Sequence, residues 1–425
     1  MTNISRRGFL NLGALALGSA MLPSLARAQE NVSIHLRYTD SQKKFIFVNL
    51  EGAPDGLELL VPYNDPHLQA LRGNIFLGAP GKGKKAPLKL DGDFAVSSKL
   101  PEFQSLYRNK QYIGIHAAAL QHENRSHFDA QNMLGNGTLN PNINTTGWMN
   151  RLSRIIGQKA KLNSVENALL SIAPHDSAPL AMRGAVRPTL VDKSASYPLS
   201  DGYFTQLLDT FENYSEISEH RDHTRILRDA LQQRRAFNGF SNNVATRTPL
   251  KERVRTARTD ADRAGIVGTL MSRADGPRIA ILTLKGWDSH AAQFVNGTYG
   301  RQLDMLNNAI KALRINMGAQ WRHAVILAGG EFGRTCGVNG TNGTDHGIAT
   351  SWHLMGGAVQ GGRMLSDWPG LREKDMIDGR YLRPTTQIVG IFKGVLQDSF
   401  DLSLQELARI FPGTAHIAPV SGLLV

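Results

Sequence analysis

The 425 residues carry 48 lysines and arginines against 36 acids, a formal net charge of +12, with 41% apolar residues and a single cysteine, Cys336. That length can bury one or two cores, and one cysteine excludes an internal disulfide, so stability has to come from packing. The basic residues are dispersed, Lys82-Gly83-Lys84-Lys85 being the densest run, which argues against a nucleic-acid partner and for a diffuse field suited to an anionic substrate or an acidic envelope polymer.

The first residues read as an export signal. Ser5-Arg6-Arg7-Gly8-Phe9-Leu10 precedes an uncharged stretch from Leu12 to Leu22 and a small-x-small site at Ala26-Arg27-Ala28, the form of a twin-arginine signal peptide. The apolar stretch is well short of the ~20 residues a spanning helix needs, so no stable membrane span is expected after cleavage. Residues 1–28 are then a signal peptide and 29–425 the mature chain, periplasmic or secreted, with the twin-arginine translocase as its partner during export. Removing 1–28 takes three arginines and no acid, leaving 45 basic against 36 acidic residues. Substrates of that route fold before they cross, often to receive a cofactor, and a metal site would supply the reason.

Along the mature chain, apolar runs alternate with helical periodicity. Phe45-Ile46-Phe47-Val48, Tyr112-Ile113-Gly114-Ile115, Ala168-Leu169-Leu170-Ser171-Ile172, Ile279-Ala280-Ile281-Leu282 and Ala324-Val325-Ile326-Leu327-Ala328 read as buried strands. Leu303, Leu306, Ile310 and Leu313 recur at helical spacing between the last two, making a β-α-β crossover. The fold class is α/β, with a largely parallel central sheet and helices on both faces. From about 200 to 275 the pattern is helical alone and reads as an insertion over the sheet, with 251–264 as a solvated helix; Ser403 and Glu406 form a capping box on a final helix.

Candidate chemistry lies where strands end, the edge at which open α/β sheets bind ligands. Asp55 sits in the turn Glu51-Gly52-Ala53-Pro54-Asp55-Gly56. Arg125-Ser126-His127 follows the second strand and runs into a helix. Gly286-Trp287-Asp288-Ser289-His290 follows the fourth, and Glu331 and Arg334, then Asp345-His346, follow the fifth. In extended backbone Asp288 and His290 project to one side. Ser126 reads equally as a nucleophile near unpaired backbone N–H groups or as a plain N-cap, and Arg125 and Arg334 as anion clamps or as structural ion pairs. Oxygen and imidazole ligands without thiolate suit divalent Zn, Mn, Mg or Ca. Asp55, Asp288, His290, Glu331, Asp345 and His346 offer enough donors for two ions.

With these residues in view, the chain resembles a known family. Asp55-Gly56-Leu57, Arg125-Ser126-His127-Phe128-Asp129-Ala130-Gln131, Thr146-Gly147-Trp148-Met149-Asn150-Arg151, Gly286-Trp287-Asp288-Ser289-His290, Glu331-Phe332-Gly333-Arg334-Thr335, Gly343-Thr344-Asp345-His346-Gly347 and Gly356-Gly357-Ala358-Val359-Gln360-Gly361-Gly362 are similar to the ordered blocks of the exported bacterial family catalogued as domain of unknown function 1501. That family belongs with the alkaline-phosphatase-like superfamily, alongside sulfatases and cofactor-independent phosphoglycerate mutase. The resemblance implies a metal-dependent hydrolase or transferase of phosphate or sulfate esters. Asp55 then matches the first ligand, Ser126 the nucleophile, Asp288 and His290 one metal pair, and Glu331, Asp345 and His346 the rest, with Glu331 or Asp345 as alternatives for the strand-end position. Ser126 is followed by His127-Phe128-Asp129-Ala130, not by the x-Pro-x-Arg of formylglycine sulfatases, which points to serine alkoxide chemistry. The other reading is a non-catalytic binding or assembly protein on the same fold, its metals structural.

Overall fold

The computed structural model describes residues 43–120, 125–143, 146–191, 228 and 248–425. The expected signal peptide and the first part of the expected helical insertion, residues 200–247, lie outside them, apart from Arg228.

Strands β1 (Lys44–Glu51), β5 (Tyr112–Ala119), β6 (Ser171–Ala173), β7 (Thr189–Leu190), β8 (Ile279–Lys285), β9 (Ala324–Gly329), β10 (Thr350–Met355) and β11 (Arg363–Leu365) form one sheet in the order β11-β5-β10-β9-β1-β8-β6-β7, with β12 (Thr386–Gln387) also pairing to β5. A small second sheet holds β2 (Leu60–Val61), β4 (Ala95–Val96) and β3 (Leu88–Lys89). β1 lies between β8 and β9 and runs parallel to both, Val48 opposite Leu282 on one side and Ala328 on the other. Only β10 runs the other way within the large sheet, antiparallel to β9 and to β5. The fold is therefore mixed α/β with a mostly parallel sheet.

Continuous apolar runs form these strands because the sheet is covered on both faces. Ile46, Val48 and Leu50 of β1 join one buried cluster with Leu303, Leu306 and Ile310, whereas Phe45 and Phe47 join another with Trp148, Phe392 and Leu396. The second cluster centres on aromatic rings. Phe47 stacks on Trp352 at 6.1 Å and meets Phe392 edge-on at 5.5 Å, while Trp148 meets Phe392 at 5.1 Å. The helix Thr298–Met317 bridges β8 and β9 as expected, passing over β1 between them.

Two local expectations are corrected. The run Ala168–Ile172 is not one strand: Asn163 and Glu166 close a capping box on the helix Ser164–Leu170, and only Ser171–Ala173 is extended. The segment 251–264 is two helices, Leu250–Thr256 and Asp260–Leu270, divided where Thr259 caps the second. The second is far from solvated, since Ala264, Ile266, Val267 and Leu270 are buried in the same core as Thr298–Met317. The final helix, Leu404–Ile410, does carry the Ser403–Glu406 capping box.

Candidate metal centre

Loops from the carboxyl ends of β1, β8, β9 and β5 meet at one edge of the sheet, and their glycines let them meet closely. Gly52 has φ +119°, and a Cβ there would stand 2.7 Å from the Asp288 amide nitrogen; one at Gly343 would stand 2.2 Å from the His290 carbonyl carbon. A side chain at either place would force the loops apart. Buried Arg334 ties the same loops together. Its Nε donates to the Ala53 carbonyl at 2.7 Å, Nη1 to Thr344 at 3.1 Å, and Nη2 to Gly52 at 2.6 Å, to Trp287 at 3.1 Å and to the Asp288 carboxylate.

Three histidines then face one another, each held from behind. His127 Nδ1 lies 2.7 Å from Glu331 Oε1, His346 Nδ1 lies 3.0 Å from the Arg125 carbonyl, and His290 Nδ1 lies 3.4 Å from Asp345 Oδ1. Carbonyl and carboxylate oxygens only accept, so the tautomer protonated on Nδ1 satisfies all three of these partners and turns an Nε2 lone pair toward the centre. Those lone pairs converge. His127 Nε2 and His290 Nε2 stand 3.0 and 3.1 Å from His346 Nε2. Asp288 completes the set, its oxygens 3.0 Å from His290, 3.3 Å from His346 and 3.6 Å from His127.

Bare lone pairs at these separations repel, whereas donors bound tetrahedrally to one zinc-like ion stand about 3.3–3.4 Å apart. Among the described residues, His127, Asp288 and His346 form the group whose ligand atoms all lie close enough to hold one ion. Carboxylate and carbonyl partners behind metal-binding imidazoles fix their rotation and tautomer, and Glu331, Asp345 and Arg125 hold those positions here. The Glu331 hydrogen bond raises the His127 pKa against the opposing effect of burial. Burial and the neighbouring His127 lower that of His346. For Asp288, burial pushes the pKa up but the Arg334 hydrogen bond and charge outweigh it, so the carboxyl stays below its ordinary value. At neutral pH the centre therefore offers an ionised carboxylate beside an uncharged His346.

Residues 205–403 match the family model described as protein of unknown function, DUF1501. The matched span contains Asp288, His290 and His346, while His127 precedes it. No curated protein matches the chain. Among solved structures, the lipoteichoic acid synthase LtaP from Listeria monocytogenes aligns over 78% of this chain and 67% of its own, with 9% identity and a TM-score of 0.31.

Of the six expected ligands, the structure brings Asp288, His290 and His346 together. It adds His127, which the sequence offers as a catalytic candidate beside Arg125 and Ser126; His127 and Gln131, four residues on, both reach Glu331 Oε1 from one helix face. Glu331 and Asp345 stand behind the imidazoles, against Nδ1 of His127 and of His290. Glu331 is buried and also accepts from the Gly52 amide at 3.1 Å, and Asp345 pairs with Arg380 at 2.6 Å. Asp55 is buried and hydrogen-bonded to Arg72, Gln293 and the Leu57 amide rather than to the histidines. Arg334 takes the structural alternative, its guanidinium committed to loop carbonyls and Asp288. Arg125 lies exposed at the rim, 4.4 Å over the Tyr381 ring, without a carboxylate partner among the described residues. Ser126 caps the helix His127–Asn136 with Oγ 3.5 Å from the Asp129 amide, between the residue that supports His346 and the one that joins the cluster.

Proposed function

We propose that the chain is an exported metalloenzyme, a hydrolase or transferase of phosphate or sulfate esters on an alkaline-phosphatase-like fold. The convergence of three Nε2 lone pairs on Asp288, each imidazole fixed through Nδ1, carries this reading. His127, Asp288, His290 and His346 would hold a divalent ion, and imidazole-rich ligation favours zinc over magnesium, calcium or manganese. Asp288 and His290 are 44% and 48% exposed on their side chains, which suits the open position of a catalytic site better than the closed shell of a structural one. When bound, the ion supplies a Lewis acid for a phosphoryl or sulfuryl oxygen.

The chain's own residues supply the remainder. Ser126 Oγ sits at the positive end of a ten-residue helix, where an alkoxide is favoured. Arg125, one residue away and unpaired by any described carboxylate, is placed to attract an anionic ester, in keeping with the basic excess of the chain. Metal content and turnover on a panel of phosphomonoesters, phosphodiesters and sulfate esters test the reading, alongside Ser126→Ala and His346→Ala. We expect both variants to lose turnover and His346→Ala to lose the ion. A metal-loaded protein inert on the whole panel would leave the non-catalytic binding protein as the better account, and full activity in Ser126→Ala would remove the serine step.

Export belongs to the same proposal and rests on Arg6-Arg7 with the cleavage-like Ala26-Arg27-Ala28. No helix among the described residues is long and apolar enough to cross a membrane. Replacing both Arg6 and Arg7 by lysine should strand the protein in the cytoplasm on cell fractionation; unchanged export would refute the twin-arginine route.

A further inference from the structure

Asp55 leaves β1 at the same sheet edge as the histidine cluster, yet the protein itself uses its whole carboxylate. Oδ1 accepts from Arg72 Nη2 and from the Leu57 amide at 3.0 Å, and Oδ2 accepts from Gln293 Nε2. Gln293 is the junction of this group. Its Nε2 also donates to Glu58 Oε2 at 2.8 Å, while its Oε1 accepts from Ser289 Oγ and from Thr344 Oγ1, each at 2.7 Å. Asp55, Glu58, Arg72, Gln293 and Thr344 are all buried. Ser289 lies between Asp288 and His290, and Thr344 comes just before Asp345-His346, so a single buried amide braces two of the three segments that bring ligands to the cluster.

We propose that Arg72 is the resident cation at Asp55, occupying the place of a second metal ion, so that the centre binds one ion and the Asp55–Arg72–Gln293 set positions its ligand loops. The inference rests on the proposed metal centre. A second ion at Asp55 does not fit the residues present. It would displace or confront a buried guanidinium whose Nη1 already lacks any partner among the described residues, and like charges at contact are unfavourable in a dry site. Arg72 therefore supplies at Asp55 the positive charge that a metal supplies at Asp288, with no exchangeable ligand.

The test counts ions. Wild-type protein, Asp55→Asn and His346→Ala are saturated with zinc or manganese, freed of loose metal by dialysis, and measured by plasma mass spectrometry, with thermal unfolding recorded in parallel. We expect one ion per chain in the wild type, still one in Asp55→Asn with a lowered Tm, and none in His346→Ala. Two ions in the wild type, falling to one in Asp55→Asn, would overturn the assignment of Arg72 while leaving the metal centre standing. No ion in the wild type would sink the centre and this inference with it. Should Asp55→Asn fail to fold, anomalous scattering from wild-type crystals decides: a peak among the histidines alone supports the proposal, and a peak at Asp55 with Arg72 displaced refutes it.

Discussion

Two groups of ionisable side chains share the carboxyl edge of the sheet and handle charge in opposite ways. Around Asp288 the side chains are one-fifth to one-half exposed, and three imidazoles bring Nε2 atoms to between 3.0 and 3.6 Å from its carboxylate oxygens. Around Asp55 everything is buried and every charge is met internally: Arg72 balances Asp55, and burial together with the charge of Asp55 pushes the Glu58 pKa up to about 8, so that Glu58 is mostly uncharged at neutral pH. The first group is left open for something from outside. The second is closed, and its closure gives the first a rigid backing. A cluster of acids at a strand end is thus not sufficient to mark a ligand site; what distinguishes the two is whether a cation of the chain has already entered.

The closed group is most vulnerable at Arg72. Arg72→Ala leaves Asp55 buried and unpaired, and loss of one partner of a buried ion pair costs about 3–5 kcal/mol; urea denaturation should show a loss of that order, and a negligible change would mean that the pair contributes nothing. Glu58→Gln should act in the opposite sense. A carboxyl whose folded pKa is raised from 4.5 to about 8 gives stability that is intact below 4.5 and drains away as pH climbs toward 8. Removing that proton linkage should therefore stabilise the protein by on the order of 2 kcal/mol at pH 8, with little gain at pH 4.5. An identical pH profile in wild type and variant would refute it.

On the open side, Glu331→Gln keeps the shape but weakens the grip on His127 Nδ1, and carboxylates in this supporting position change metal affinity by about 10–100-fold. Competition with a chromophoric chelator measures it. Asp345→Asn should cost less, at most about tenfold, because its Oδ1 stands 3.4 Å from His290 Nδ1 and is shared with Asn339, while Arg380 holds Oδ2. A larger loss from Asp345→Asn than from Glu331→Gln would reverse that order of support.

The central strands were legible in the sequence because burial on both faces demands unbroken apolar runs, and β1, β5, β8 and β9 have them. β10 was not, since Thr350-Ser351-Trp352-His353 mixes polar residues into a buried strand; His353 is admitted there by Tyr112 Oη at 2.8 Å and Ser351 Oγ at 3.3 Å, contacts that only the fold creates. The site was legible as an edge and a set of donor types. Its inner and outer layers were not, for the residues that sort them are remote: Glu331 meets His127 across 204 positions, and Gln293 reaches Asp55 across 238. Arg72 is only 17 positions from Asp55, yet nothing in the pattern between them says that the chain folds back to pair them.

β10 also sets an order of events. Because it runs back between β9 and β5, the loop 330–349 leaves and re-enters the sheet at one edge, and His346 comes to His127 only once that strand is seated. The two residues are 219 positions apart, and pairings of such separation form late, after the entropy of closing the chain has been met. A molecule still lacking β10 can offer an ion only the Asp288-His290 arm. On the proposed reading, ion uptake would then mark completion, separating chains that have finished folding from chains that have not.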